Sequence, residues 1–380
     1  MRILYCIGAL NKRGGAERVL VNKANYFAEV YEYEVHILIA NQDDKPLCYG
    51  ISKKVKLHDM KITECFTKKS IPLASFFKNV KKLKKIYEKK IVQINPSIIF
   101  VLERGYDDFI IPNIMPSIPK VRESHSSMEA VKIMDSGASN SKKQKVFNTV
   151  FTLLYKRQMK KYNHVVVLTE RDKAYRSYLK RVSVIPNIVS SFKSQPSRLN
   201  NFRAISVGRL DTFKNFKDQI LVWANIVKKH PNWTLHIYGQ GSEKENLQHL
   251  ITKLNLVNHV FLEEVSNQIE THYQESSLFL FTSIAEGFGL VLVEAMQFGL
   301  PVVSYNCPCG PEDIISNSED GFLVNVGDLT SLENRIVELI ENKEKRKEIG
   351  KKAILKSKEF LPEVVMPKWD TLIKQFISEK

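Results

Sequence analysis

The chain has 380 residues, 43% hydrophobic and 26% charged, which suits a globular protein with sizeable cores and excludes a disordered, collagen-like or disulfide-stapled chain. Lysine and arginine number 57 against 41 acidic residues, a net charge of +16, so anionic partners come first: nucleic acid, anionic lipid headgroups or phosphorylated substrates. No apolar run approaches the roughly 18–20 residues that cross a bilayer, and five scattered cysteines form no disulfide framework.

The opening Met1–Gly8 is too short for a signal-peptide core, so it reads as a mature, cytoplasmic start and as the first strand. Short apolar runs then alternate with helical stretches, the signature of repeated βα units and parallel sheets. Strands are predicted at Arg2–Gly8, Tyr33–Ala40, Ser97–Leu102, Lys120–Glu123 and His164–Leu168. Helices are predicted at Ala16–Ala28, Leu73–Lys89 and Gln144–Lys161. Ser190–Ser197, rich in serine and proline, reads as a linker. The pattern restarts with strands at Ala204–Val207, Thr234–Tyr238, His259–Leu262, Leu278–Thr282, Pro301–Ser304 and Gly321–Val324. Helices at Asn215–Lys229, Glu243–Leu254, Leu290–Phe298 and Leu329–Asn342 separate them, and charged helical stretches follow from about Lys343. Two α/β units with a cleft between them are expected, with ligands beyond the carboxyl ends of the strands.

Four segments at such strand ends can carry chemistry. Gly14-Gly15 opens a helix after the first strand, where free amides can meet an anion, or it is an ordinary flexible turn. Gly208-Arg209-Leu210-Asp211-Thr212-Phe213-Lys214-Asn215 offers Arg209 and Lys214 to one diphosphate, or is a solvated basic loop. Glu286-Gly287-Phe288-Gly289-Leu290 begins a helix that carries Glu294. Each glutamate suits a sugar diol and the helix start suits a phosphate; a capping acid at a buried helix is the alternative. His125 in Arg122-Glu123-Ser124-His125 is a hydrogen-bonding group, a general acid or base, or a structural histidine. Gly239-Gln240-Gly241 either approaches a nucleotide base or turns the chain. Cys307-Pro308-Cys309 lacks a second ligand pair for zinc, and no Asp-x-Asp clamp for a magnesium diphosphate occurs.

In their joint order, Gly14-Gly15-Ala16-Glu17-Arg18, Gly208-Arg209-Leu210…Lys214-Asn215, the Glu286/Glu294 pair, Pro311–Ile315 and Asp320–Val324 resemble the retaining glycosyltransferases of family 4, of bacterial surface-glycan type. The resemblance implies the GT-B architecture: two Rossmann-like domains facing a central cleft, the C-terminal helix crossing back to the N-terminal domain. Domains are expected at 1–187 for the acceptor and 188–360 for the nucleotide sugar, with 361–380 as that helix. It further implies that Arg209 and Lys214 hold the donor diphosphate and Glu294 the ribose hydroxyls. Glu286 contacts the donor sugar, while Gly15, Phe288, Gly289 and Leu290 offer backbone, and His125 lies near the donor sugar and acceptor. An inserted Ser124 departs from the family's Glu-His pair. No metal or other cofactor is expected, and the donor is expected to be a UDP-sugar carrying a hexose or N-acetylhexosamine.

Lys78–Lys90 reads as a basic amphipathic helix with Val80, Leu83, Ile86 and Tyr87 on one face. It suits an anionic membrane surface and a lipid-linked glycan acceptor, extended by Lys142, Lys143, Lys145, Lys156, Arg157, Lys160 and Lys161; otherwise its apolar stripe packs inward. The protein is therefore placed in the cytoplasm, peripheral to the inner face of the cell membrane. The alternatives are a glycosyltransferase with a small or protein acceptor, and a nucleic-acid-binding protein. The latter lacks aromatic residues interleaved with the basic face, so no nucleic-acid partner is expected. A nicotinamide oxidoreductase lacks its glycine fingerprint.

Overall fold

The structure, a computed structural model, describes residues 1–63, 73–102, 105–129, 142–192 and 194–378, with the side chains of 73 and 142–147 outside the description. The chain divides into two compact units. The described residues of Met1–His125, Met134–Ile188 and Pro362–Lys380 form one; those of Ser126–Ile133 and Val189–Leu361 form the other.

The first unit carries β1 (Arg2–Ile7), α1 (Gly15–Glu29), β2 (Glu34–Ile39), β3 (Lys56–Asp59), α2 (Leu73–Ile94), β4 (Ile98–Val101), α3 (Asp107–Ile110), β5 (Lys120–Ser124), α4 (Lys142–Met159), β6 (His164–Val167), α5 (Glu170–Ala174) and β7 (Val182–Val184). Its sheet is parallel in the order β3-β2-β1-β4-β5-β6-β7. Strands β1 and β4 are almost wholly apolar because helices cover both faces; Ile3, Leu4, Tyr5, Ile98, Ile99 and Phe100 are fully buried, whereas β5 buries the charged Lys120, Arg122 and Glu123. Strands β3 and β7 carry no such run, which is why the sequence does not announce them. Lys56-Leu57-His58-Asp59 is a mostly exposed edge, and Val182-Ser183-Val184 is only a half-buried edge. The short helices α3 and α5 escape for a related reason: one turn of helix has no periodicity to read.

Helix α2 buries Phe76, Leu83, Tyr87, Ile91 and Ile94 against the core of this unit, with Val80 packed beside them. Most of the apolar stripe of Lys78–Lys90 therefore packs inward. Leu83 and Tyr87 are spent on the core, Ile86 stays partly exposed, and the lysines hold the outer face.

The second unit carries β8 (Arg203–Val207), α6 (Phe216–Lys229), β9 (Thr234–Tyr238), α7 (Lys244–Lys253), β10 (Val260–Glu263), α8 (Ile269–Gln274), β11 (Leu278–Phe281), α9 (Leu290–Gln297), β12 (Val302–Tyr305), α10 (Pro311–Ile314), β13 (Gly321–Val324), α11 (Leu329–Glu341) and α12 (Lys343–Ser357). Its parallel sheet runs β10-β9-β8-β11-β12-β13, the doubly wound order of a Rossmann fold. Trp223, Ile220, Leu235, Ile237, Leu280 and Ile336 are buried in its core.

Ser190–Ser197 is not a free linker. The Phe192 amide donates to Gln297 Oε1 at 3.1 Å, Ser197 Oγ donates to the Ser276 carbonyl at 2.5 Å, and the Phe192 ring sits 5.0 Å from that of Phe298. The Phe192 amide and the Ser197 hydroxyl thus hold their residues to the second unit. The last helix, α13 (Pro362–Ser378), packs within the first unit, where Tyr33 donates to Asp370 and the Trp369 ring meets Phe100 edge-on. Among the described residues no helix is long and apolar enough to cross a membrane.

Candidate active site

In a doubly wound sheet the crevice lies where strand order reverses, beyond the carboxyl ends of the two strands that diverge. In the second unit those strands are β8 and β11. The loop after β8 carries Arg209 and Lys214, and the loop after β11 carries Glu286, Phe288 and Gly289. Two residues far apart in sequence meet there: Lys214 Nζ lies 2.5 Å from Glu286 Oε1, with both side chains mostly shielded from solvent.

Local chemistry holds the two loops in place. Asp211 Oδ1 accepts the amides of Phe213 and Lys214, both at 3.0 Å, and turns the chain into α6. Thr282 Oγ1 donates to the Asn215 carbonyl at 2.9 Å, and the Ile284 amide donates to the Phe213 carbonyl at 2.8 Å. Buried Gln219 ties Ser206 at the end of β8 to Thr282 at 3.0 and 2.9 Å. On the far side, the Glu286 amide donates to the Pro308 carbonyl at 3.2 Å. Gly310, at φ +123°, lets the two loops approach closely: a Cβ there would run into the Phe288 carbonyl. The Cys307-Pro308-Cys309 loop is thus a buried wall behind Glu286.

Gly239 plays the matching part behind Arg209, since a Cβ there would collide with the Gly208 carbonyl oxygen. Helix α9 begins at Leu290, with Gly289 in the left-handed region at φ +98° as its cap, so the first amides of the helix open toward this crevice. Phe288 is buried against Phe360 and Leu290 is partly exposed. Glu294 lies one turn along, 3% exposed, accepting from Tyr273 at 3.3 Å.

Arg209 is placed differently from Lys214. Its guanidinium pairs with Asp211 at 2.6 Å and most of its side chain is exposed. In the first unit, Gly14 caps α1 in an extended conformation that any residue can adopt, and the space beside it is taken by the Glu17 carboxylate. Gly15, the first residue of α1, is exposed. His125 follows β5 and bonds through Nε2 to Glu123 Oε2 at 3.3 Å. Glu123 in turn pairs with Lys23 at 2.6 Å, both fully buried, a partnership that sequence reasoning missed. The Glu-x-His spacing at a strand end puts Glu123 and His125 on one face, but nothing in the sequence points from Glu123 to Lys23 on α1.

Comparison with known proteins shows what the chain is similar to. Residues 189–356 match the model of the glycosyl transferases group 1 family. An uncharacterized glycosyltransferase of Haemophilus influenzae is 27% identical over 98% of this chain and 99% of its own length. The amylovoran biosynthesis glycosyltransferase AmsD of Erwinia amylovora is 34% identical over 55% of this chain and 61% of its own. The crystal structure of Anabaena Alr3699/HepE in complex with UDP-glucose superposes with a TM-score of 0.70 at 19% identity, covering 100% of both chains, and shares the fold. The chain has the two-domain GT-B fold, and its residues 189–356 are similar to the glycosyl transferases group 1 family.

Proposed function

We propose that this protein transfers a hexose or N-acetylhexosamine from a UDP-sugar to a lipid-linked glycan acceptor, with retention of anomeric configuration, in the assembly of a bacterial surface polysaccharide or glycoconjugate. The observation that carries the reading is the Lys214–Glu286 pair at the β8/β11 crevice. The bond to be broken joins a polyhydroxylated ring to a diphosphate. It requires a hydroxyl acceptor and an anion-binding cation side by side, and the pair supplies both. An ammonium has three donors, so Lys214 can keep Glu286 and still bind a diphosphate oxygen.

As the nucleoside diphosphate departs, negative charge grows on its oxygens. Lys214, Arg209 swung from Asp211, and the first amides of α9 from Gly289 and Leu290 are its stabilisers. With those cations in place the reaction is expected to survive EDTA. Glu286 receives sugar hydroxyls and Glu294 those of the ribose, while Gly239 lets the neighbouring loop close on the nucleotide. The acceptor hydroxyl attacks from the leaving-group face: its oxygen forms the new bond to the anomeric carbon as the bond from that carbon to the diphosphate oxygen breaks, and its proton passes to the departing diphosphate. The first unit, with His125, receives the acceptor, and the lysine face of α2 draws the enzyme to an anionic lipid surface at the inner face of the membrane. The amylovoran relative and the UDP-glucose complex support the polysaccharide context and the nucleotide.

The test is thermal shift with UDP- and GDP-sugars on the wild type and on Glu294→Ala, followed by NMR of the transferred sugar. Stabilisation by UDP-sugars that the variant loses, with a product of retained configuration, is expected. An inverted product removes the retaining mechanism, and a wild type that responds to no nucleotide sugar removes the donor assignment.

A further inference from the structure

Glu123 and His125 leave β5 on the same side, two residues apart, while Ser124 between them points the other way and accepts from Arg176 at 2.5 Å. Glu123 Oε2 receives two groups, Lys23 Nζ at 2.6 Å and His125 Nε2 at 3.3 Å. Lys23 comes from α1 and is 1% exposed, and its ammonium stands 3.4 Å from the centre of the Trp369 ring on α13, with Tyr5 5.5 Å away. Burial alone would push the Glu123 carboxyl up, but the adjacent ammonium and the two hydrogen bonds outweigh it and hold it below its ordinary value.

An ionised carboxylate can only accept, so the Nε2 of His125 must carry the proton. In the neutral ring Nδ1 is then a bare acceptor. That atom is buried, in a side chain 8% exposed, and it has no hydrogen-bond partner among the described residues. A buried acceptor without a donor costs stability unless something brings one. A substrate hydroxyl is such a donor.

We infer that Glu123 is a positioning residue for His125: charged through Lys23, it locks the imidazole in the Nε2–H tautomer and presents Nδ1 as an acceptor for a substrate hydroxyl. Trp369 on the C-terminal helix closes over Lys23 and keeps the ammonium in the pair. The inference rests on the sugar-transfer reading for the identity of the hydroxyl, and on geometry alone for the tautomer.

Long-range nitrogen–carbon-proton NMR of the His125 ring, assigned by its loss in His125→Gln, tests it at pH 8. The expected wild-type spectrum has a protonated Nε2 and an unprotonated Nδ1. In Glu123→Ala the two nitrogen shifts converge as the tautomers mix, and turnover falls at least tenfold while UDP binding is kept. Glu123→Gln, whose amide oxygen still accepts from Nε2, recovers part of that loss. Lys23→Met/Glu123→Met removes both buried charges together, so it tests whether the pair serves folding only. If that double variant turns over at the wild-type rate, or if wild-type His125 carries its proton on Nδ1, the inference is overturned. A wild type that releases UDP from no sugar nucleotide overturns the transfer reading instead, and the tautomer then stands or falls on the spectrum.

Discussion

Lys214 and Glu286 are 72 residues apart in sequence and 2.5 Å apart in space, so each holds the other ready. Removing the ammonium leaves the leaving group without its nearest cation. Neutralising the carboxylate weakens the grip on the sugar. Lys214→Ala and Glu286→Gln are each expected to lower turnover at least tenfold, about 1.4 kcal/mol of transition-state stabilisation, with circular dichroism unchanged. Wild-type rates in both would remove them from the site. Gly310 makes a different kind of contribution. Its φ of +123° and the Phe288 carbonyl beside it leave no place for a methyl group. Gly310→Ala is expected to destabilise the protein by about 1–3 kcal/mol and to weaken nucleotide binding, read by denaturant unfolding and calorimetry. At Lys23 a single Lys23→Met change strands the Glu123 carboxylate in the core, at a cost of about 3–5 kcal/mol, of which the double variant described above regains a large share.

Helix α2 separates packing from charge along one element. Leu83 is 1% exposed, so Leu83→Ala is expected to cost about 2–5 kcal/mol of stability. Lys81, Lys82, Lys84 and Lys85 are not part of that core, and their joint replacement by alanine should leave the unfolding midpoint within about 0.5 kcal/mol per site of the wild type. The same variant should lose binding to anionic liposomes; unchanged binding counts against membrane docking by this helix. At the β2–β3 edge, His36 Nδ1 and His58 Nε2 share a hydrogen bond at 2.8 Å. Burial lowers both rings from the ordinary 6.5, with Lys90 and His36 helping to take His58 down to about 4. The unfolded chain therefore binds more protons than the folded one between pH 6.5 and 4, and stability must fall as the solution is acidified through that window. His58→Gln is expected to flatten the fall, measured as the thermal midpoint against pH; an equally steep fall in the variant would assign it to other groups, His164 and His236 among them.

For the molecule as a whole, a net charge of +16 makes any approach to an anionic surface dependent on salt. Binding to anionic vesicles is expected to decline steeply between about 0.05 and 0.3 M salt, as the Debye length shrinks below about 10 Å, and to be absent on zwitterionic vesicles. Binding that ignores salt would point to apolar insertion, for which the described helices offer no spanning segment.

The α/β class, most strand positions and the presence of two parallel sheets were legible along the chain, because strands buried on both faces must be continuously apolar and the helices between them must be amphipathic. The loops that bear Lys214 and Glu286, and the start of the helix that carries Glu294, were legible too, as glycine-containing turns at strand ends. Edge strands such as Lys56–Asp59 were not, since a strand that faces solvent needs no apolar pattern. Composition marked Ser190–Ser197 as a linker but could not show how Ser197 is anchored, because a serine that bonds a carbonyl and one that faces water look the same in sequence. Pairings between distant residues were decided only by the tertiary structure: Lys214 with Glu286 across β8 and β11, and Lys23 with Glu123 under Trp369. Periodicity reports which face of an element is buried, but the partner across a sheet is set by strand order and by how the buried charges must be neutralised.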